Sequence, residues 1–172
     1  VLQTIDLTSG AQLADLVAAQ AAAEGVLGQE EAIAALVTSA LASTTVQHAA
    51  SRRHWREVFV AAPIGERLLE GYVDLLYEDG DDLVVVDHKT DAWRDDEDLN
   101  VKVDRYRIQT AAYAVAVERA TGKRVSDAVL LFLDTTAATE RHITDLDHAK
   151  AEVVALAPVV VAGGEATAVD HM

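Results

Sequence analysis

Glu70–Asp91, EGYVDLLYEDGDDLVVVDHKTD, is the stretch on which the reading of this chain turns. Arg67 to Glu78 mixes apolar and polar residues as a half-buried strand does. Glu78-Asp79-Gly80-Asp81-Asp82 is a turn with glycine available for positive φ, and Leu83 to Lys89 is a second, β-branched strand. The spacing therefore predicts a β-hairpin. Side chains alternate across a strand, so Leu83, Val85, Asp87 and Lys89 share one face, and Val84, Val86 and His88 share the other. An aspartate and a lysine two residues apart, ending an apolar run, are charges on a half-buried face. Such charges must be paired, neutralised or bound to an ion. Asp74, on the preceding strand, is the third candidate member. A cross-sheet ion pair would explain Asp87-x-Lys89 if it stood alone.

It does not stand alone. Gly71-x-x-Asp74, the hairpin, Asp87-x-Lys89-Thr90-Asp91 and then a helical pattern carrying Gln109 and Tyr113 occur in that order. This ordered set resembles the PD-(D/E)XK nuclease superfamily. Within it, the set is most similar to the nuclease domains at the C-termini of RecB- and AddA-type helicase–nucleases. The resemblance runs from about Arg56 to Asp134. It implies a restriction-endonuclease-like α/β fold, a mixed sheet flanked by helices.

Composition sets the bounds. The 172 residues are expected to form one domain: a helical scaffold over 1–50, a core sheet with the Gln/Tyr helix over 51–144, and a C-terminal helix and tail over 145–172. An apolar content of 51% with 25% charged residues is ordinary for a globular protein. No apolar run approaches the ~20 residues that span a bilayer, so no membrane partner is expected. Without cysteine, any metal must sit on oxygen or imidazole. The net charge is −15, from 29 acidic and 14 basic residues. That argues against a free-standing duplex-binding module, which draws on a basic face and counterion release. The start at Val1 reads as a piece excised from a longer polypeptide.

Taken in order, Val1–Leu7 is apolar. Ser9 and Gln12 fit a capping box for a helix that carries Leu13, Leu16 and Val17 and stops at Gly25. A second helix is expected from near Gln29, with Ile33, Leu36, Val37 and Leu41 as its apolar stripe. His48 and His54 fall between this helical region and a first strand over Arg52–Ala62, on which Trp55, Glu57 and Phe59 share a face. Pro63-Ile64-Gly65 reads as a turn. After the hairpin, Trp93–Leu99 (WRDDEDL) reads as a solvated acidic loop. A helix then runs from Leu99 or Asn100 to about Thr121, with Gly122 at its C′ position. On a helical wheel Val101, Ile108, Ala112 and Val115 form one stripe, and Lys102, Tyr106, Gln109 and Tyr113 another. Val125–Leu133 is a buried strand, expected beside the hairpin, and Glu140–Thr144 a short edge strand. A last helix is capped by Thr144 or Asp145 and carries Val153, Leu156, Ala157 and Val160. Pro158 kinks or ends it, and a loose tail begins at Gly163-Gly164.

The resemblance also implies chemistry. Asp74, Asp87 and the backbone carbonyl of His88 would hold Mg²⁺ or Mn²⁺, and Lys89 would act on the water or the phosphate. Gln109 and Tyr113 would sit beside the scissile strand, with Glu57 and Asp91 standing behind the metal ligands. The family places a metal-binding histidine in a G-x-x-x-H motif on an upstream helix. No such motif occurs in this chain, so the expectation is that it lies before Val1, with His48 the weaker substitute. The implied activity is a metal-dependent deoxyribonuclease, an exonuclease, serving end processing, recombination and repair in the cytoplasm. Implied partners are a single-stranded DNA end, the ATP-dependent helicase domains that deliver it, and a second subunit. The competing reading is an inactive nuclease-like module that grips DNA or assembles a helicase.

Overall fold

A computed structural model describes residues 1–156. A five-stranded sheet is built from β1 (His54–Ile64), β2 (Arg67–Asp79), β3 (Asp82–Lys89), β4 (Val125–Phe132) and β5 (Thr139–His142), in spatial order β1-β2-β3-β4-β5. All neighbours are antiparallel except β3 and β4, which run parallel. A parallel pair needs a crossover, and α4 (Asp96–Thr121) supplies it. On one face α4 and α5 (Leu146–Ala155) pack on Val85, Leu130 and Phe132. On the other, residues 1–7 with α2 (Glu30–Leu41) and α3 (Thr44–Ala50) cover Leu75, Val84, Val86 and Leu131. Leu13 and Leu16 of α1 (Leu13–Glu24) pack at the edge of that layer. The mixed, helix-flanked sheet is the α/β architecture expected.

The central hairpin forms where the sequence places it. Asp79 pairs with Asp82, and Gly80 turns the corner at φ +64°. The helical parts differ more. Ser9 does not cap α1; with its side chain and backbone N–H it binds the Asp6 carboxylate, and Gln12, at φ +62°, precedes the helix with no side-chain cap. Residues 44–50 are helix rather than connection, because Ser43 Oγ accepts the Val46 N–H and starts α3. The acidic run is not a loop either. Asp95 caps α4 by accepting the Asp98 N–H at 2.9 Å, and Asp96, Glu97 and Asp98 occupy the first turn, where carboxylates favour the helix dipole. Val101 is 63% exposed and does not join the buried stripe, which is carried by Leu99, Ala111, Ala114 and Val115. The edge strand starts one residue earlier than expected and ends at His142. Ala157, Pro158, Val160 and the Gly163-Gly164 tail lie outside the described residues.

The largest departure is in β1 and β2. Val58, Val60, Ala62 and Ile64 face α4 together with Leu69 and Val73, yet Trp55 and Leu76 face it too. Regular alternation cannot do both. Each strand changes phase once, β1 near Glu57 and β2 near Asp74, and Arg56↔Leu75 with Val58↔Val73 puts these two residues opposite each other. Glu57 has φ +51°, a strained left-handed conformation for a residue with a Cβ. Trp55 and Phe59 therefore do not share a face: Trp55 packs on the core, and Phe59 stands 54% exposed against Tyr72.

Arg107 ties α4 to α5 by ion pairs to Asp145 at 2.5 Å and Glu152 at 2.9 Å. These hydrogen bonds hold both carboxyl groups below their usual range. Groups with depressed pKa contribute stability above their unfolded values, about 4, and lose it as pH falls through the folded ones. Arg107→Ala should therefore lower stability at pH 7 and weaken stability less at pH 3. Urea unfolding at both pH values measures this. An equal loss at both would mean that the ion pairs contribute nothing.

Candidate active site

β3 ends in Asp87-His88-Lys89. Because β4 runs beside it, with Asp87 opposite Leu130 and Lys89 opposite Phe132, both charged side chains are walled by a buried strand. Their faces follow the alternation expected: Lys89 points toward α4, while His88 joins Glu57, Leu133, Ile33 and Leu36 around a cavity of about 300 Å³ on the opposite layer. The β2–β3 ladder stops at Leu75↔Val86. Continued, it would offer a β2 carbonyl to the His88 N–H; that N–H instead donates to Asp74 Oδ2 at 2.6 Å. The phase change in β2 thus turns Asp74 into the side-chain end of the ladder.

Asp74 and Asp87 lie near enough for each carboxyl group to shift the pKa of the other. Lys89 Nζ lies 2.7 Å from Asp87 Oδ2, with side chains only 12% and 9% exposed. The two form an ion pair largely withdrawn from water. Burial pushes both carboxyl groups above their usual range; Lys89 pulls Asp87 back and the His88 N–H pulls Asp74 back. Glu57, across from Asp74, adds to its rise. A carboxyl group raised in this way costs folding free energy in its ionised form, the opposite of the Arg107 cluster. The His88 imidazole is half-buried with its Nε2 buried and unpartnered; loss of water holds it down to about 4, and it is neutral at pH 7.

Helix α4 closes the site from above. Tyr106 lays its ring 4.0 Å from Lys89 Nζ, and its hydroxyl donates to Asp91 at 2.9 Å. Sequence reasoning put Tyr106 on the same stripe as Gln109 and Tyr113 but gave it no place at the site. One turn along, Gln109 Nε2 donates to the Tyr113 hydroxyl at 3.1 Å. Tyr113 lies against Gly71, where a Cβ would come within 2.6 Å of its ring. Gln109 and Tyr113 thus flank β2 three residues before Asp74 and hydrogen-bond each other rather than the Asp/Lys cluster. Asp91 reaches Lys89 through Tyr106. His48 sits exposed on α3, a helix rather than the loop expected, and His54 begins β1 with its Nδ1 3.0 Å from the Arg52 carbonyl. Neither joins the cluster.

The donor set suits a hard cation in kind: two carboxylates whose charge burial disfavours, beside a strand end. In number it is sparse. Among the described residues, no group of three or more His, Asp or Glu side chains converges as a metal cage. Two carboxylates and the His88 carbonyl would leave the remaining positions to water, as Mg²⁺ sites commonly do.

A family profile described as the PD-(D/E)XK nuclease superfamily matches residues 3–170. The chain belongs to that superfamily. Among curated proteins it is similar to an ATP-dependent helicase/nuclease subunit of Listeria welshimeri, with 39% identity over 74 residues, 39% of this chain and 6% of the relative. It is similar to the same subunit of Alkaliphilus metalliredigens, with 35% identity over 74 residues, 43% of the chain and 6% of the relative. For the Clostridium botulinum protein of the same description the identity is 40% over 63 residues, 37% of the chain and 5% of the relative. The chain thus spans only a small part of the length of the curated relatives it matches. It is a nuclease-family fold similar to one segment of much longer helicase–nucleases.

Gly71→Ala should force the Tyr113 ring aside, at a cost of about 1–3 kcal/mol for overpacking. Urea denaturation against the parent chain measures it. Unchanged stability would mean that the ring gives way freely and that Gly71 is not what seats it.

Proposed function

We propose that this chain is a divalent-metal-dependent DNA nuclease domain working within a helicase–nuclease. The observation that carries this reading is the convergence of Asp74, Asp87 and Lys89 at one strand end in a chain of this superfamily. Asp74 and Asp87, with the His88 carbonyl, would hold Mg²⁺ or Mn²⁺. When bound, such a cation supplies Lewis acidity that offsets the charge building on the scissile phosphate. Lys89 presents its ammonium beside the ligands, where it orients the attacking water and neutralises phosphate charge. The His88 N–H fixes the Asp74 carboxylate, so that its second oxygen is presented in one orientation. Gln109 and Tyr113, exposed and half-buried neighbours on α4, offer an amide and a phenol to the substrate backbone, the contact type that positions DNA without reading sequence.

The relatives, described as ATP-dependent helicase/nuclease subunits, support helicase domains and a further subunit as partners, and we read the substrate as a single-stranded DNA end that those domains deliver. On this reading the activity is that of an exonuclease in double-strand-break end processing, recombination and repair in the cytoplasm. The acidic charge of −15 agrees with delivery by other domains, since this chain has little phosphate affinity of its own to offer. Among the described residues no helix is long and apolar enough to cross a membrane.

Cleavage of end-labelled single-stranded DNA, with Mn²⁺ or Mg²⁺ and with chelator, tests the assignment. The parent chain should cut only with metal, and Lys89→Ala should lower the rate by at least roughly 10²-fold, in the range lost when a charged group acting in the transition state is removed. Metal-independent cutting, or a Lys89→Ala rate equal to the parent's, would sink the enzyme reading. Binding without cutting would favour the inactive DNA-gripping module.

A further inference from the structure

We propose that Tyr106 is a positioning residue for Lys89, its ring carrying the lysine ammonium and its Asp91-bonded hydroxyl fixing the ring. The inference rests on the reading of Asp74, Asp87 and Lys89 as the hydrolytic cluster and adds a residue to it. Lysine is a point charge on a flexible four-carbon stem, and nothing in that stem fixes where the ammonium stops. At this site the side chain is nearly buried, so the ammonium has given up most of its water. Two groups replace it: Asp87 Oδ2 at 2.7 Å and the face of Tyr106 at 4.0 Å from the ring centroid. An ammonium is attracted to an aromatic face within about 6 Å, the more so when desolvated.

The ion pair alone would not hold the lysine in register. The Asp87 contact at 2.7 Å holds one side of the ammonium and leaves its angle of approach to its other neighbours. A flat ring does dictate it, because the attraction is strongest over the ring and falls off at its edge. The ring in turn is not free. Its hydroxyl donates to Asp91, which lies two residues beyond Lys89 where the strand has ended. The contacts therefore run in a closed circuit, Lys89 to Tyr106 to Asp91 and back along the chain to Lys89. Accepting from the phenol also feeds electron density to the ring, which strengthens its hold on a cation. Arg105 lies 5.6 Å from the same ring, farther than Lys89, and is exposed to solvent.

The test compares Tyr106→Phe and Tyr106→Leu with the parent chain by two readouts. The first is the NMR shift of the Lys89 Cε protons without metal. A ring overhead displaces them upfield, an effect that Tyr106→Phe should keep and Tyr106→Leu should abolish. The second is DNA cleavage with Mn²⁺. Tyr106→Leu should lower kcat on the order of tenfold with KM for DNA unchanged, as misplacing a reacting group does, and Tyr106→Phe should restore most of the rate. Should Tyr106→Leu fail to fold, Asp91→Ala takes its place, with a reduced proton displacement and a lower kcat expected. Parental shifts and parental kcat in the leucine variant, or in Asp91→Ala, would overturn the proposal. Lys89→Ala is run alongside: if it cuts like the parent, the nuclease assignment fails, and the proton shifts still decide whether Tyr106 holds Lys89.

Discussion

The hydrogen bond from the His88 N–H to the Asp74 carboxylate is where the sheet becomes a site. β2 and β3 stop pairing at Leu75↔Val86, and β2 continues with β1 alone. A backbone donor left at that divergence would cost free energy if buried without a partner. Asp74 satisfies it, and in doing so is held against Asp87. The arrangement requires β1 and β2 to change phase together, and the left-handed φ of Glu57, directly across from Asp74, is the observable trace of that requirement. Backbone strain of this kind costs on the order of 1–3 kcal/mol and persists where the surrounding structure demands it.

Two charge clusters on the same fold obey opposite rules. Around Arg107, partly exposed carboxylates gain more from the guanidinium than they lose by leaving water, and their pKa values fall. At Asp74 and Asp87 burial outweighs the help from Lys89, and both values rise. The first cluster fastens α5 to α4. The second costs stability in the absence of a cation, which is the expected character of a site built to receive positive charge rather than to hold the fold together.

Period-two alternation suffices to find the hairpin and to assign Asp87 and Lys89 to one face and His88 to the other, since the side chains of β3 alternate without a break even where its pairing with β4 shifts register at Leu83 and Val84. It failed on β1, where Trp55, Glu57 and Phe59 were read as one face, because alternation cannot anticipate a non-glycine residue in the left-handed region. Charge alone makes the acidic run before α4 look like a loop, though Asp95 with Asp98 three residues on is also a helix start. α3 was missed because seven residues give little periodicity, and its cap is a single serine. Tyr106 lay on the helical stripe that was recognised, but its contact with Lys89 spans the β3–α4 connection and depends on how α4 crosses the sheet. No local pattern encodes that crossing.

On the proposed function, the break at Glu57 and Asp74 brings two carboxylates and a strand-end carbonyl together as a seat for a hard cation. Anomalous diffraction from crystals of this chain grown with Mn²⁺ tests it most directly. The expected result is a manganese peak between Asp74 and Asp87, within about 2.0–2.5 Å of a carboxylate oxygen of each, with the His88 carbonyl facing the same ion. Manganese bound only to surface carboxylates, with Lys89 still filling the space beside Asp87, would contradict it.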